Sequence, residues 1–302
     1  MTVLTRRDLL QAALAAGTGA LVYRPLEAAA PPALGVQLYT VRDQMTKDPE
    51  ATLKAIADIG YKEVEVLRGT LTTVGPIARR LGLSPISIHV DTPIVTGNWD
   101  AWQFMRKSVP ENYGLDDVMR EATEQGARYL VLSYLMASER GGGVEYYTKL
   151  ADTLNRVGEK IRNGGLQFCY HNHGFEFEPF ADGRLPLDVL MASTKPELVK
   201  LELDVFWVGI TGNDPVKFIE QYDGRIALLH LKDKSKAAAT ATQESKVPPA
   251  AFSEVGFGAL DFPAILAAAA AAGVEHYFVE QDHSAGDPID SLRKSFKYLH
   301  KL

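Results

Sequence analysis

The chain has a single cysteine, Cys169, so no disulfide forms within it, and cysteine usage is silent about redox compartment. Outside the N-terminus there is no run of basic residues, and the formal net charge is −6. That balance excludes non-specific phosphate or nucleic-acid binding as the main activity. The one long apolar stretch, Leu9 to Val22, is too short to span a bilayer comfortably. Histidine is scarce as well, with seven in 302 residues. What remains is a 46% hydrophobic chain with enough apolar material for a large core.

The N-terminus has its own signature. Thr5-Arg6-Arg7 precedes the apolar stretch, and the small residues Ala28–Ala30 follow it. No charge falls between Asp8 and Arg24, which makes a poor amphipathic helix and a good export signal. Residues 1–30 are therefore expected to be a twin-arginine signal peptide and 31–302 the folded domain. The expected location is periplasmic or otherwise outside the cytoplasm, with no stable membrane anchor after signal cleavage.

From Leu34 onward, strand-like and helix-like runs alternate. Strands are expected at 34–40, 62–67, 84–90, 127–134, 166–173, 198–208, 225–233 and 276–282. Helices are expected at 49–60, 72–82, 111–126, 144–165, 185–193, 214–224, 260–273 and 288–302. Several strands are continuous apolar runs, as parallel strands buried on both faces require. A doubly wound sheet would place glycines in the first strand-to-helix turn, and YTVRDQM has none. Eight β/α units in about 250 residues give a single (β/α)₈ TIM barrel. The connections 91–110 and 233–257 are long, and the Ala/Thr-rich middle of the second reads as a loose surface loop. VGFGALDF, at 255–262, suits either a phosphate-binding turn or a plain tight turn.

Five of the seven histidines fall at the C-terminal strand ends, where barrels build their sites: His89, His171, His173, His230 and His283. Acidic groups fall there too: Glu63, Glu65, Glu176, Glu202, Asp204, Glu280 and Asp282. Alternation along a strand points His171 with His173, Glu202 with Asp204, His230 with Lys232, and Glu280 with Asp282. Imidazoles and carboxylates at one rim form a mixed N/O set suited to one divalent ion, Mn²⁺, Co²⁺, Zn²⁺ or Fe²⁺. Structural roles compete: Asp204 as a helix cap, Glu280 as the partner of a lysine. Lys232 reads as a substrate or carboxylate contact, and Trp207 as a stacking platform for a sugar ring.

The motifs GVQLYTVRD, GYKEVEV, SIHV, YHNHGFEF, LDVFWV, HLKD, VGFGALDF and VEQD, in this order and spacing, resemble the sugar phosphate isomerase/epimerase group of the xylose isomerase-like barrel superfamily. The resemblance covers nearly all of 34–302. It implies a divalent ion held by groups from strands five to eight, which here are His171, Asp204, His230 and Glu280. The superfamily's strand-five ligand is a glutamate, and His171 stands in its place. Its ketose epimerases carry a histidine three residues after the aspartate, where this chain has Trp207. Its DNA-repair endonucleases need a third-site ligand set that this chain lacks.

These residues point first to a metal-dependent isomerase or epimerase of a sugar or keto-sugar, working by proton abstraction beside a metal-bound carbonyl. Glu280, His171, His173 and Lys232 are the expected catalytic groups, with His89, Glu65, Trp207 and Glu176 as substrate contacts. The alternative is a metal-dependent lyase or dehydratase on a keto-sugar or keto-glycoside, favoured by His171 in place of glutamate. A non-catalytic periplasmic sugar-binding protein ranks last. The expected partner is a small carbohydrate, with no nucleic acid; an oligomer is compatible with the sequence.

Overall fold

A computed structural model describes residues 33–302, so the expected signal peptide lies outside the described residues. Eight parallel strands close a barrel: β1 Leu34–Gln37, β2 Glu63–Leu67, β3 Ser84–Val90, β4 Tyr129–Leu132, β5 Gln167–His171, β6 Val199–Asp204, β7 Ile226–Leu231 and β8 His276–Val279. Each strand pairs with its neighbours in sequence, and β8 closes on β1. Eight outer helices alternate with them: α1 Pro49–Ile59, α2 Leu71–Arg80, α3 Leu115–Gln125, α4 Gly143–Asn163, α5 Pro186–Ser193, α6 Pro215–Gln221, α7 Phe262–Ala271 and α8 Pro288–Leu299. Among the described residues, no helix is long and apolar enough to cross a membrane.

The helices start where the sequence supplies an oxygen for their free N–H groups. Asp48 accepts from the Ala51 amide before α1, Asp261 from Ala264 before α7, and Asp287 from Ile289 before α8. Proline follows the cap of α1 and α8 at the first helical position, where its missing N–H costs nothing. The apolar faces of strands and helices form one large core. Inside the barrel, Val131, Cys169, Leu228 and Phe278 form a separate buried layer. The lone thiol is thus sealed in apolar surroundings, and burial pushes its ionisation up.

Three departures from the expected elements have a visible cause. The first strand stops at Gln37, because its side-chain oxygen accepts from the Tyr39 amide and starts a 3₁₀ turn over Leu38–Val41. The sixth strand stops at Asp204, whose Oδ1 accepts from the amides of Phe206 (2.9 Å) and Trp207 (3.1 Å). Val205–Ile210 is consequently a short helix rather than the end of a strand. The expected helix-cap role of Asp204 is real.

The third difference is the connection after β7. Asp233–Lys234 and Phe252–Ser253 pair as a small antiparallel ribbon. The Ala/Thr-rich stretch between them is tied down rather than loose. The Ala241 amide donates to the Ile210 carbonyl, the Thr242 hydroxyl to Glu178, and Arg140 to Glu244. Gly174, in YHNHGFEF, permits this approach: a Cβ there would lie 2.7 Å from the Thr242 carbonyl oxygen.

Of the two readings for VGFGALDF, the tight turn holds, and its amides are filled from within. The Asp233 carboxylate accepts from Gly256, Gly258, Ala259 and Leu260 at 2.8–3.1 Å. A Cβ on Gly258 would meet that carboxylate at 2.4 Å. The chain's own anion occupies the place a phosphate would need.

Candidate metal centre

Strand register sets the site. Gln37 lies beside Glu65, Leu67 beside His89, His171 beside Glu202, and Asp204 beside His230. Inward-facing residues of such a barrel stack in layers, and the polar side chains form two tiers at the C-terminal mouth. The upper tier is Asp204, His230 and Glu280, with donor atoms all within 4.8 Å of one another. His230 Nδ1 is 2.9 Å from Glu280 Oε2 and 4.0 Å from Asp204 Oδ2, and His171 Nε2 is 3.8 Å from the same Asp204 oxygen. Three of the four expected metal ligands, Asp204, His230 and Glu280, lie together, while His171 groups with His89, Glu202 and His230 and reaches only toward Asp204.

In the lower tier, sequence reasoning left Glu202 without a role and took Glu65 and His89 as substrate contacts. Glu202 and Glu65 are completely buried. His89 Nε2 sits between them, 2.8 Å from Glu202 and 3.0 Å from Glu65. His230 Nε2 lies 2.7 Å from Glu65, and His171 Nδ1 lies 2.9 Å from Glu202. Gln37 and Ser87 complete the shell by donating to Glu65 at 2.8 and 2.6 Å. His230 and His171 thus each have a carboxylate behind one nitrogen and the other nitrogen toward the upper tier. This is the carboxylate–histidine arrangement that fixes the tautomer of a metal-binding imidazole. Glu65, expected to touch substrate, lies beneath the histidines and does not reach the open cavity. The signal for Glu202 was its place two residues before Asp204 on one strand face.

Lys232 sits at the upper tier, 3.0 Å from Asp204 Oδ2, 2.7 Å from Glu280 Oε2 and 3.0 Å from Asp282 Oδ1. Its expected role as a carboxylate contact holds, as does the pairing of Glu280 with a lysine. Burial disfavours the charged lysine, but the three carboxylates outweigh it and raise its pKa well above the usual range. Burial likewise pushes Glu280 up, and Lys232 and His230 more than reverse this and keep it ionised. Asp204 is pushed up by burial, against Lys232, to about 6. His173 is held neutral by burial and then by the Lys232 charge. Its ring lies 5.2 Å from Trp207, and its buried Nδ1 has no hydrogen-bond partner.

Glu176 is the other expected substrate contact that the cavity does not reach. It is fully buried, accepting from the Tyr170 hydroxyl (2.6 Å) and the His173 amide (2.8 Å), and so anchors the loop carrying His173. Burial, outweighing those two donors, pushes its carboxyl up to about 8. In the unfolded chain this carboxyl ionises near its ordinary 4.5. Between those values only the unfolded state releases the proton, so the group's contribution to stability falls as pH rises through the window and levels off above it. Glu176→Gln mimics the protonated form. The variant should gain on the native protein by roughly 1.4 kcal/mol per pH unit between about 5 and 8. Urea unfolding of both proteins at the two ends of that window checks this; parallel pH profiles would refute it.

The residues fit a divalent ion. Asp204 Oδ2 is buried in the upper tier with only the Lys232 ammonium beside it and no well-aligned hydrogen bond, and the donors are imidazole nitrogens and carboxylate oxygens. Removing a carboxylate from behind a ligand should therefore weaken the site. Glu65→Gln turns an amide donor toward donors on Gln37, His89 and His230. We expect 10–100-fold weaker divalent-ion affinity, as is typical for such outer partners, measured by chelator competition. Unchanged affinity would detach Glu65 from the site.

The fold and site define a closed eight-stranded barrel with an imidazole–carboxylate mouth, and the comparisons name its family. A family model described as xylose isomerase-like TIM barrel matches residues 53–302, and the chain belongs to that family. Inosose dehydratase 2 of Bacillus cereus is 30% identical over 167 residues, covering 52% of this chain and 55% of that protein. The alignment thus spans about half the length of this curated relative. A sugar phosphate isomerase/epimerase from Parabacteroides distasonis superposes with a TM-score of 0.70 at 23% identity, over 91% of this chain and 95% of that one. The IOLI protein, whose crystal structure contains a zinc atom, superposes at 0.64 and 14% identity, over 89% and 98%. At such identities the two structures share the fold.

Proposed function

We propose that this chain is a divalent-metal-dependent carbon–oxygen lyase of the dehydratase type, acting on a keto-sugar or a cyclic polyol ketone such as an inosose. The observation that carries the reading is the convergence of Asp204, His230 and Glu280, with His171 toward Asp204 and the Lys232 ammonium against Asp204 and Glu280. The similarity to inosose dehydratases favours elimination over the isomerase or epimerase reading. So does the site itself. Epimerisation calls for two matched bases on opposite faces of the substrate, and His171 is committed between Glu202 and Asp204.

His171, Asp204, His230 and Glu280 would hold the ion. When bound, it would polarise a ketone and make the neighbouring C–H acidic. The chain's own groups divide the proton work. His173 is neutral and its ring lines the cavity, so we assign it the proton from carbon. Lys232 is held protonated and is placed to give one to the departing oxygen. The C–O bond breaks as the C=C bond forms, and water leaves. Trp207 walls the site and lies 5.9 Å from the Lys232 ammonium.

The test is incubation of metal-loaded protein with an inosose in D₂O, followed by NMR and mass spectrometry. Loss of water, abolished by EDTA and restored by metal, is the expected outcome. Deuterium uptake with every oxygen retained would replace elimination by isomerisation. We further propose export by the twin-arginine pathway. Cell fractionation tests this with a variant carrying lysines for Arg6 and Arg7, and cytoplasmic retention of that variant is expected.

A further inference from the structure

The mouth opens into a cavity of about 680 Å³, well inside the ~300–1,000 Å³ range of pockets for drug-sized ligands. Its charges are already spent on one another. The permanent cations lining it are Arg68 and Lys232, and the carboxylates are Asp91, Glu244, Glu280 and Asp282. Arg68 is paired with Asp91, and Lys232 with Glu280, Asp282 and Asp204 behind them. A divalent ion among Asp204 and Glu280 would leave no surplus positive charge. The glycine turn at 255–262 is filled by Asp233. A phosphorylated sugar would bring about two negative charges to a wall where, among the described residues that line it, both permanent cations are already paired.

The aromatic side chains lie in two groups. One surrounds the polar tier: His173, Trp207 and Phe252, with the indole N–H of Trp207 buried and unpartnered. The other forms the outer wall. Trp102 is fixed by donation from its indole N–H to Glu139 (2.9 Å), and Phe104 leans on it with ring centroids 5.8 Å apart. Phe104 is 70% exposed and Tyr39 40%. Among the described residues four large hydrophobics are exposed, and these two line the cavity. Exposed aromatic faces at a polar mouth are platforms for a sugar or aryl ring.

We infer that the site takes an uncharged, unphosphorylated two-ring substrate: a glycoside whose reacting sugar ring lies against the His171–Lys232–Glu280 tier and whose second ring stacks on Phe104 at the outer wall. With such a substrate the C–O bond broken is the one to the second ring, and Lys232 protonates the departing hydroxyl compound as it protonates departing water in the reaction of a free keto-sugar. The inference rests on the keto-sugar reading of the site. Its test uses ligands that lack a ketone and cannot react, so it is independent of that chemistry.

Binding of methyl β-glucoside, phenyl β-glucoside, glucose and glucose 6-phosphate to the metal-loaded protein is measured by calorimetry. We expect the phenyl glucoside to bind about tenfold tighter than the methyl glucoside, the scale of one aromatic stacking contact. Phe104→Ala should erase that gap while leaving methyl glucoside affinity unchanged. The side chain is largely in solvent, so folding should be unaffected. Glucose 6-phosphate should bind no tighter than glucose. Tighter binding of the phosphate, no gap between the glucosides, no measurable phenyl glucoside binding, or a gap that survives Phe104→Ala would each overturn the inference. A gap that behaves as expected alongside failure of any elimination would instead remove the lyase reading and keep the subsite.

Discussion

His230→Ala is expected to leave a folded protein that no longer retains a divalent ion. His230 joins the two tiers at short range, with Nδ1 toward Glu280 and Nε2 toward Glu65 and Glu202. Burial opposes a charge on this imidazole, but the surrounding carboxylates prevail and raise its pKa well above the usual range. Without it, three buried carboxylates lose their shared partner, at a cost of about 3–5 kcal/mol. The upper tier also loses a nitrogen donor outright. Affinity should then fall by more than the 10–100-fold expected for an outer partner, and turnover should fall with it. Metal content after gel filtration checks this, with circular dichroism to confirm folding. His300→Ala, at the surface end of α8, should keep its metal. Equal metal content in the folded His230 and His300 variants would remove the site.

The barrel was legible because its strands are short apolar runs punctuated by helices of regular period, a pattern written locally. The upper tier was legible for a related reason: alternation along a strand tells which neighbours share a face, so His230 with Lys232 and Glu280 with Asp282 follow from sequence alone. The lower tier was not. Whether Glu65 on β2 meets His230 on β7 depends on barrel closure and strand register, which are properties of distant segments. For the same reason Glu65 and Glu176 looked like substrate contacts, when depth in the barrel puts both out of reach of the cavity. The end of β6 was missed because VFWV has strand-like residues, and the Asp204 side chain overrides them by capping two amides. Asp233 filling the glycine turn was hidden by the residues that separate the two in sequence.

Lys232→Met is expected to separate the structural and chemical uses of this ammonium. In the native protein the lysine is 2% exposed and lies within 3.0 Å of three carboxylates. Methionine fills similar space without charge, so Asp204, Glu280 and Asp282 would face one another unneutralised. The metal-free variant should lose about 3–5 kcal/mol, read from urea unfolding. A divalent ion should restore more stability to the variant than to the native protein, since in the latter it competes with the ammonium for the same Asp204 and Glu280 oxygens. If Lys232 only balances charge, metal saturation should also restore turnover. If it protonates the leaving oxygen, the saturated variant should remain slower by about 10²–10⁴-fold, the usual worth of a positioned acid. The deficit should shrink for substrates whose leaving group is more acidic and needs no proton. A structural lysine has no reason to show that dependence on the leaving group. Full turnover in the metal-saturated Lys232→Met protein would therefore assign the proton to another residue, with Asp282 the nearest remaining acid.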